Sequence, residues 1–231
     1  MSPTSATPSA TTRDLKISEC GCTGLLVDSA YSVVCERTQE RFWALGRALQ
    51  QDTRLAIREV VTGVNNLLIV FDALSMPVEH LTQTVLRLWD SAPTVDMASR
   101  EIEIPVEYGG PSGEDLPMLA AAAGMSIQQW VNCHSDATYR VACVGSMPGF
   151  AYLSGLPAAL AFPRRQMPRN RIAKGAVIIG GPQAGVMPCA APSGWHLIGH
   201  SDVDLFNPLN VTPCRFAPGD VVRFVCKGID L

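Results

Sequence analysis

Hydrophobic residues in the first third of the chain follow two spacings, one typical of strands and the other of helices. Residues 24–30 are a short, mainly apolar run that indicates a strand. After Thr38, a residue type that caps helices, Phe42, Leu45 and Leu49 recur at helical spacing. These positions predict a strand followed by an amphipathic helix.

A hairpin and a second helix follow. The runs 57–61 and 67–72 are rich in β-branched residues, and the residues between them tolerate turn geometry. A second helical stripe begins near Pro77, and residues 101–106 alternate like a strand. The order β-α-β-β-α-β is that of the split-βαβ, ferredoxin-like fold, in which two helices cover one face of an antiparallel sheet. The pattern predicts such a domain over residues 13–105.

The second half of the chain differs because glycine and proline become frequent. Two short helices are predicted first, one over 116–123 and one capped by Ser126 with Gln129 three positions later, a capping box. Short apolar runs separated by turn sequences then indicate strands at 139–144, 176–180, 194–199 and 220–226. This pattern predicts a β-barrel or sandwich over residues 106–231, so the whole chain is predicted to be α+β.

The composition is that of an ordinary globular protein. The chain has 231 residues, 47% of them hydrophobic and 17% charged, with a formal net charge of −3. No apolar run approaches the roughly 20 residues that a membrane-spanning helix needs. Residues 1–12 lack the charged and apolar regions of a secretory signal. We therefore expect a disordered tail over 1–12, a cytoplasmic protein and no membrane partner.

Familiar catalytic and metal-binding patterns are absent from the sequence. Its 8 cysteines include no C-x-x-C pair, which favours reduced thiols and predicts no metal site. The motifs of P-loop and dinucleotide-binding proteins, serine hydrolases and zinc proteases do not occur. His134, His196 and His200 carry acid-base chemistry, but nothing in their order pairs them with a nucleophile. The residues alone therefore identify no catalytic group.

One long segment carries cations but no acids, because residues 137–201 contain no Asp or Glu. Its cations are Arg140, Arg164, Arg165, Arg169, Arg171 and Lys174. Guanidinium groups presented by a proline-stiffened loop suit a carboxylate or phosphate ligand. The alternative is pairing with acids outside the segment, such as Glu101, Glu103, Glu107 or Asp220. Nucleic acid is not expected, since the chain is acidic overall and the segment lacks interleaved aromatic residues.

Aromatic residues near this segment offer a pocket wall. The sequence GSMPGFAYLSGLP at 145–157 places Phe150 and Tyr152 in a loop fixed by glycine and proline, and Trp195 lies between Gly194 and His196. A tyrosine in such a loop presents an apolar ring and a hydroxyl donor to a ligand. The alternative is a barrel corner whose aromatic rings fill the core.

These motifs carry a family resemblance. GSMPGFAYLSGLP, PRRQMPR, GGPQAGVMP, APSGWHLIG and PGDVVRF occur in order, and EIPVEYGG at 103–110 with Asp115 and Leu116 extends the match upstream. The sequence resembles the carboxyltransferase-like family that contains the B-type subunit of bacterial 5-oxoprolinase, the sporulation-kinase inhibitor KipI and proteins called allophanate hydrolase subunit 1. The resemblance implies a ferredoxin-like N-terminal domain and a cyclophilin-like β-barrel at the C-terminus.

The resemblance also implies partners and a ligand site. Family members work with a related second carboxyltransferase-like subunit, and in 5-oxoprolinase a third subunit joins them to open 5-oxo-L-proline to glutamate while ATP is consumed. The ATP site in this chain is not identified by the sequence. The substrate-binding residues that the resemblance implies are His134, Phe150, Tyr152, Arg164, Arg169, Gln183 and Trp195. The sequence departs from the usual family residues at Ser146, Ala184, Met187, Ser193 and His200, so a different small ligand is an open alternative.

Three functions follow from this resemblance. The first is a 5-oxoprolinase subunit that binds a small carboxylate or amide in the barrel domain and depends on its companion subunits for catalysis. The second is a histidine-kinase inhibitor without catalysis, similar to KipI. The third is a component of a urea or amide carboxyltransferase, whose biotin would have to come from another chain.

Overall fold

The computed structural model describes residues 10–11, 14–31, 35–91 and 100–230. Its backbone contacts divide the chain into two compact units, with the division between Met97 and Ala98. The predicted mixed α and β composition is confirmed, as is a closed barrel in the second unit. No helix within the described ranges is long and apolar enough to cross a membrane.

The first unit is an antiparallel sheet with two helices. Its strands are β1 (Ala10–Thr11), β2 (Leu15–Cys20), β3 (Gly24–Ser29), β4 (Ile57–Thr62) and β5 (Asn66–Phe71), and its helices are α1 (Glu36–Gln51) and α2 (Val78–Ser91). The strands lie in the order β1-β2-β3-β5-β4. Along β5, Leu67, Ile69 and Phe71 are buried and alternate with half-buried residues, so one face of the sheet forms the core. The helical stripe Phe42, Leu45 and Leu49 packs into that core.

Several local predictions for this unit are corrected. Helix α1 begins a turn earlier than predicted, with Cys35 rather than Thr38 in the N-cap position. The tail predicted over 1–12 contributes β1, which pairs with Lys16 and Ile17, while residues 1–9 lie outside the described ranges. Strand β2 was not predicted, because only two of its six side chains are buried and the rest read as polar sequence.

The second unit contains a seven-stranded barrel. Its barrel strands are β6 (Glu101–Gly109), β7 (Tyr139–Val144), β8 (Ala151–Ser154), β10 (Ala176–Gly180), β11 (Gln183–Val186), β13 (His196–His200) and β14 (Val221–Asp230). They close in the order β10-β11-β8-β7-β14-β6-β13. Strands β9 (Arg169–Ile172) and β12 (Ala191–Ser193) form a separate pair. The helices are α3 (Leu116–Ala122) and α4 (Ile127–Ser135), and the capping box predicted at Ser126 and Gln129 is present.

The strand predicted at the end of the first domain belongs to the barrel instead. Strand β6 runs parallel to β14, with Val221 opposite Glu101 and Asp230 opposite Gly109, and it is antiparallel to β13 on its other side. The predicted β-α-β-β-α-β order therefore loses its last strand, and the predicted boundary at 105/106 falls inside β6. Alternation marked this segment correctly as a strand, but it could not show which sheet the strand joins.

The barrel strands bury side chains on both faces. Val177 and Ile179 belong to the larger apolar cluster, while Ile178 between them belongs to a smaller one. Strand side chains point alternately to opposite faces, so the two clusters lie on opposite sides of β10. Ile172 of β9 packs in the smaller cluster, which places the β9–β12 pair over that face. The smaller cluster contains Phe150 and Trp195, two of the predicted ligand residues.

A candidate ligand-binding surface beside Trp195

Phe150, Tyr152 and Trp195 form one aromatic group in the smaller cluster. The ring centroid of Phe150 lies 5.0 Å from that of Tyr152 and 5.8 Å from that of Trp195, and the Tyr152 and Trp195 centroids are 6.0 Å apart. All three pairs meet edge to face, the geometry that aromatic quadrupoles favour. Tyr152 is half-buried, whereas Phe150 and Trp195 are buried. Tyr152 is therefore the ring of this group with the most access to a ligand.

Two glycines make room for these rings. A Cβ atom on Gly180 would lie 2.7 Å from Cγ and Cδ2 of the Trp195 indole, and one on Gly185 would lie 2.9 Å from Cζ of Phe150. Gly180 pairs with Gln183 across the β10–β11 ladder. Directly paired residues project to the same face of an antiparallel sheet, so half-buried Gln183 shares the face of the aromatic group.

Replacing Gly180 with alanine is expected to destabilise the barrel unit by about 1 to 3 kcal/mol, because the new methyl group forces the Trp195 indole or strand β10 to move. Urea unfolding followed by hydrogen exchange in the barrel strands measures the change. Gly145 is the control, since a Cβ there meets nothing within 4 Å. Equal stability of the two alanine variants would show that the indole yields without cost.

Arg164 covers the aromatic group with a positive charge. Its guanidinium carbon lies 5.4 Å from the Trp195 ring centroid, within the range of a cation–π contact. The side chain is exposed, and the described residues provide no carboxylate within salt-bridge distance of it. Arg164 is thus positioned to bind an anion that lies against the indole.

Arg165 and Arg169 are instead paired with acids. The two terminal nitrogens of Arg169 donate to the two carboxylate oxygens of Asp115 at 2.9 and 3.0 Å, and Nη2 also contacts Glu114. Arg165 Nη1 donates to Asp115 Oδ1 at 3.2 Å. The alternative of pairing outside the acid-free segment therefore holds for these two arginines, although the partners are Asp115 and Glu114 rather than the acids considered. This geometry argues against Arg169 as the primary anion ligand.

Asp115 is a buried anion with several donors. Burial raises the pKa of this carboxyl, but hydrogen bonds from Arg169 and from the Leu197 backbone N–H outweigh burial and bring the pKa below its usual value. Leu197 N–H donates to Oδ2 at 2.8 Å, and Asp115 N–H donates to the Leu197 carbonyl at 3.2 Å. Asp115 therefore fixes strand β13, which follows Trp195 directly.

Other basic residues of the segment differ from these arginines in their contacts and exposure. Lys174 Nζ lies 2.7 Å from Asp204, and both side chains are largely exposed. Arg171 is exposed on β9. His196 hydrogen bonds through Nε2 to the Pro163 carbonyl at 2.9 Å, and its buried Nδ1 lies 3.7 Å from Asp115 Oδ2. His196 therefore bonds to the arginine loop through Nε2, while its Nδ1 lies near Asp115 without a hydrogen bond to it.

His134 lies in the larger cluster and not with the aromatic group. Its ring is fully buried and packs against Trp130, Tyr139 and Phe224, with centroids 5.6, 5.3 and 4.7 Å away. The Tyr108 hydroxyl lies 2.8 Å from Nδ1. Burial lowers the pKa of His134 to about 3, so the ring is neutral at physiological pH. The structure does not bring His134 together with the other predicted ligand residues.

This depressed pKa predicts that the barrel loses stability in mild acid. The unfolded chain binds a proton at its ordinary histidine pKa near 6.5, whereas folded His134 binds one only near 3. The free energy of unfolding should therefore fall by roughly 1.4 kcal/mol for each pH unit between about 6.5 and 3 on account of this residue. Urea unfolding of the protein and of His134→Gln across this window measures the difference. Parallel pH profiles for the two proteins would contradict the assignment.

The family departures lie in different environments. Ala184 is fully buried in the larger cluster, on the face opposite Gln183, and Met187 is buried in the smaller cluster. Ser193 Oγ accepts a hydrogen bond from Trp195 N–H at 3.1 Å, so this residue fixes the turn before the indole. Ser146 is exposed, whereas His200 is half-buried and bonds to exposed Asp202. The departure at Ala184 therefore does not alter the candidate surface.

Five predicted ligand residues thus meet on one face of the barrel: Phe150, Tyr152, Arg164, Gln183 and Trp195. Arg169 is nearby in sequence but already paired. Asp115 belongs to the sequence that carries the family resemblance, but its structural role was not predicted. Only the fold shows that its carboxylate faces Arg165 and Arg169. Among the described residues, no group of three or more His, Cys, Asp or Glu side chains is placed to hold a metal.

Comparison with known proteins places this geometry in a family. Residues 15–216 match the carboxyltransferase domain, subdomain C and D. The chain belongs to this family. It is 41% identical over 188 residues to the B-type subunit of 5-oxoprolinase from Escherichia coli O157:H7, covering 81% of this chain and 85% of the relative. It is 38% identical over 210 residues to the B-type subunit of 5-oxoprolinase from Haemophilus influenzae, covering 88% of this chain and 97% of the relative.

A solved structure with a similar arrangement of elements supports the fold. The urea carboxylase of Kluyveromyces lactis superposes with a TM-score of 0.77 over 96% of this chain, at 17% sequence identity. The chain spans only 23% of that enzyme. At this identity the likeness supports the arrangement of strands and helices and does not extend to the reaction.

Proposed function

We propose that this chain is the B-type subunit of an ATP-dependent 5-oxoprolinase complex that converts 5-oxo-L-proline to L-glutamate. The observation that carries the proposal is the 38–41% identity, over most of the chain, to relatives that are B-type subunits of 5-oxoprolinase. The free guanidinium of Arg164 above an aromatic wall supports it, because the substrate is a small anion with a nearly flat ring. These relatives favour neither a kinase inhibitor nor a urea or amide carboxyltransferase.

The candidate surface offers one partner for each part of 5-oxoproline. Arg164 would bind the carboxylate through charge-assisted hydrogen bonds. The five-membered ring would lie against Trp195 and Tyr152, which contribute apolar area and a hydroxyl. The Gln183 amide has both a donor and an acceptor, as does the lactam that it would face. Phe150 would support the other two rings from below.

Ring opening adds water across the lactam C–N bond and leaves a carboxylate and an amine, and ATP consumed by the complex provides the driving force. In the described residues, His134, His196 and His200 hydrogen bond to Tyr108, to the Pro163 carbonyl and to Asp202. None of these contacts is an activated nucleophile of the Ser–His or Cys–His type. We therefore assign substrate binding to this chain and the reacting groups to the companion subunits of a cytoplasmic complex.

Reconstitution tests this proposal. The chain is co-expressed with a related second carboxyltransferase-like subunit and a third subunit, and glutamate formation from 5-oxoproline is followed with and without ATP. The expected result is turnover that requires ATP and all three chains. A stable three-chain complex that does not turn over 5-oxoproline would contradict the proposal, and turnover by the other two chains alone would remove this chain from the reaction.

A further inference from the structure

We propose that Asp115 is the positioning and specificity-determining residue of the candidate surface, which it restricts to ligands with a single carboxylate by keeping Arg165 and Arg169 paired. The proposal deepens the function suggested above and relies on it only for the choice of ligand. Its basis is the ion cluster of Asp115, Glu114, Arg165 and Arg169, together with unpaired Arg164.

The charges of the ion cluster limit what the surface can bind. The loop presents three neighbouring cations, Arg164, Arg165 and Arg169, of which two are bound to Asp115. The side chain of Arg169 is only 18% exposed and that of Asp115 only 9%, so solvent screens this ion pair poorly. A ligand anion therefore does not readily displace Asp115 from Arg169. The acids Asp115 and Glu114 cancel two of the three positive charges. Of these three arginines, Arg164 is the one without a carboxylate partner among the described residues, so its guanidinium is available to an incoming anion.

Asp115 also positions the Trp195 indole and Arg164. Asp115 both donates to and accepts from the backbone of Leu197, two residues beyond Trp195. Arg165, held by the same carboxylate, donates its backbone N–H to the Gly194 carbonyl at 2.8 Å, one residue before Trp195. The carboxylate thus holds the strand after the indole and, through Arg165, the residue before it. Because Arg164 adjoins Arg165, the same contacts set its place above the ring.

The paired arginines make the surface selective for a single carboxylate. A ligand with one carboxylate satisfies Arg164 and places its remaining atoms against the aromatic wall. A second carboxylate on the same small ligand finds Arg165 and Arg169 occupied and meets the negative charges of Asp115 and Glu114. Like charges brought together at an interface disfavour the wrong ligand, a form of negative selection. In the proposed reaction the substrate has one carboxylate and the product has two, so this arrangement favours substrate binding and product release.

The test measures binding of 5-oxoproline and of glutarate, a dicarboxylate of similar length, to the full chain by calorimetry. The protein is expected to bind 5-oxoproline at least tenfold more tightly than glutarate. In Asp115→Asn, which keeps the shape and an acceptor for the Leu197 N–H, the ratio should move at least tenfold toward glutarate. Asp202→Asn removes a fully exposed acid of the same unit and should leave the ratio unchanged.

A second variant keeps the proposal testable if Asp115→Asn does not fold. Arg165→Gln removes a cation from the cluster while Arg169 still pairs with Asp115, so the ratio should move in the opposite direction, further from glutarate. Ratios that are unchanged in the variants, or that move together, would overturn the charge argument. Protection of the Leu197 amide from hydrogen exchange provides a readout without ligand: it should fall in Asp115→Asn and not in Asp202→Asn, and equal protection would overturn the positioning role.

The two proposals fail in different ways. If the full chain binds neither acid, the proposed ligand and the proposed selectivity are both wrong, whatever the hydrogen-exchange data show. If the three-chain complex turns over 5-oxoproline while Asp115→Asn leaves the binding ratio unchanged, the selectivity falls and the proposed function stands.

Discussion

Replacing Arg164 with alanine is expected to raise the KM of the reconstituted complex for 5-oxoproline by about 10- to 100-fold. A hydrogen bond to a charged group contributes about 1.5 to 3 kcal/mol, and 1.4 kcal/mol corresponds to a factor of ten. The effect falls on KM because Arg164 binds the carboxylate, which does not change during ring opening. Loss of such uniform binding leaves kcat nearly constant. Steady-state kinetics over a range of 5-oxoproline concentrations measure both constants.

The matched control is Arg171→Ala. Arg171 is exposed and lies in β9, a few residues further along the same cationic segment, so its removal changes the net charge equally. It should change KM by less than about twofold, the scale expected of a surface charge. Arg164→Lys keeps the charge but lacks the planar fork, and should recover only part of the loss. Similar effects of Arg164→Ala and Arg171→Ala would mean that the segment attracts the substrate only through its overall positive charge.

Replacing Phe224 with alanine is expected to lower the free energy of unfolding of the barrel unit by about 3 to 5 kcal/mol. Phe224 is 2% exposed and lies opposite Ile104 in the β6–β14 pair. Its ring centroid is 4.7 Å from that of His134 and 5.0 Å from that of Tyr139. Truncation leaves a cavity between the strands that close the barrel and the helix that carries His134.

Hydrogen exchange resolved by peptide measures this loss, since it reports the stability of the two units separately. Slow exchange in barrel strands such as β10 should accelerate by more than a hundredfold, while β5 of the first unit stays unchanged. Val61→Ala is the control, because that side chain is 42% exposed and its truncation removes little buried apolar surface. Barrel exchange rates that match those of Val61→Ala would show that the strands repack around the missing ring.

Sequence patterns predicted the local elements well and their partners poorly. The stripe on α1 and the hairpin of β4 and β5 depend on residues close in sequence, so periodicity and turn composition are sufficient. Strand β6 was recognised by alternation but assigned to the wrong sheet, because its partner β14 lies far along the chain. Pairing across long separations is set by the whole fold rather than by a short sequence window.

The residues of the candidate surface were also predicted from the sequence more readily than their partners. The aromatic residues and Gln183 were predicted by family motifs, and the structure places them on one face. The sequence left open that Arg169 pairs with an acid outside the segment but did not identify the partner, because Asp115 lies 54 residues earlier and reaches it only through the fold. A charge count over a segment cannot reveal a neutralising partner outside that segment. The burial of Asp115 and its hydrogen bonds show which arginines are paired with an acid.

Closure of the barrel by β6 and β14 has a consequence for biosynthesis. Arg100 and Asp220, which hydrogen bond where this pair begins, are 120 positions apart, and the other neighbour of β6 is β13. On the ribosome, β6 therefore emerges long before either strand that will cover its edges. Contacts of such high sequence separation form slowly, and an uncovered strand edge invites association with other chains. Nascent chains halted between β6 and β13 should accordingly depend on chaperones more than the finished protein does.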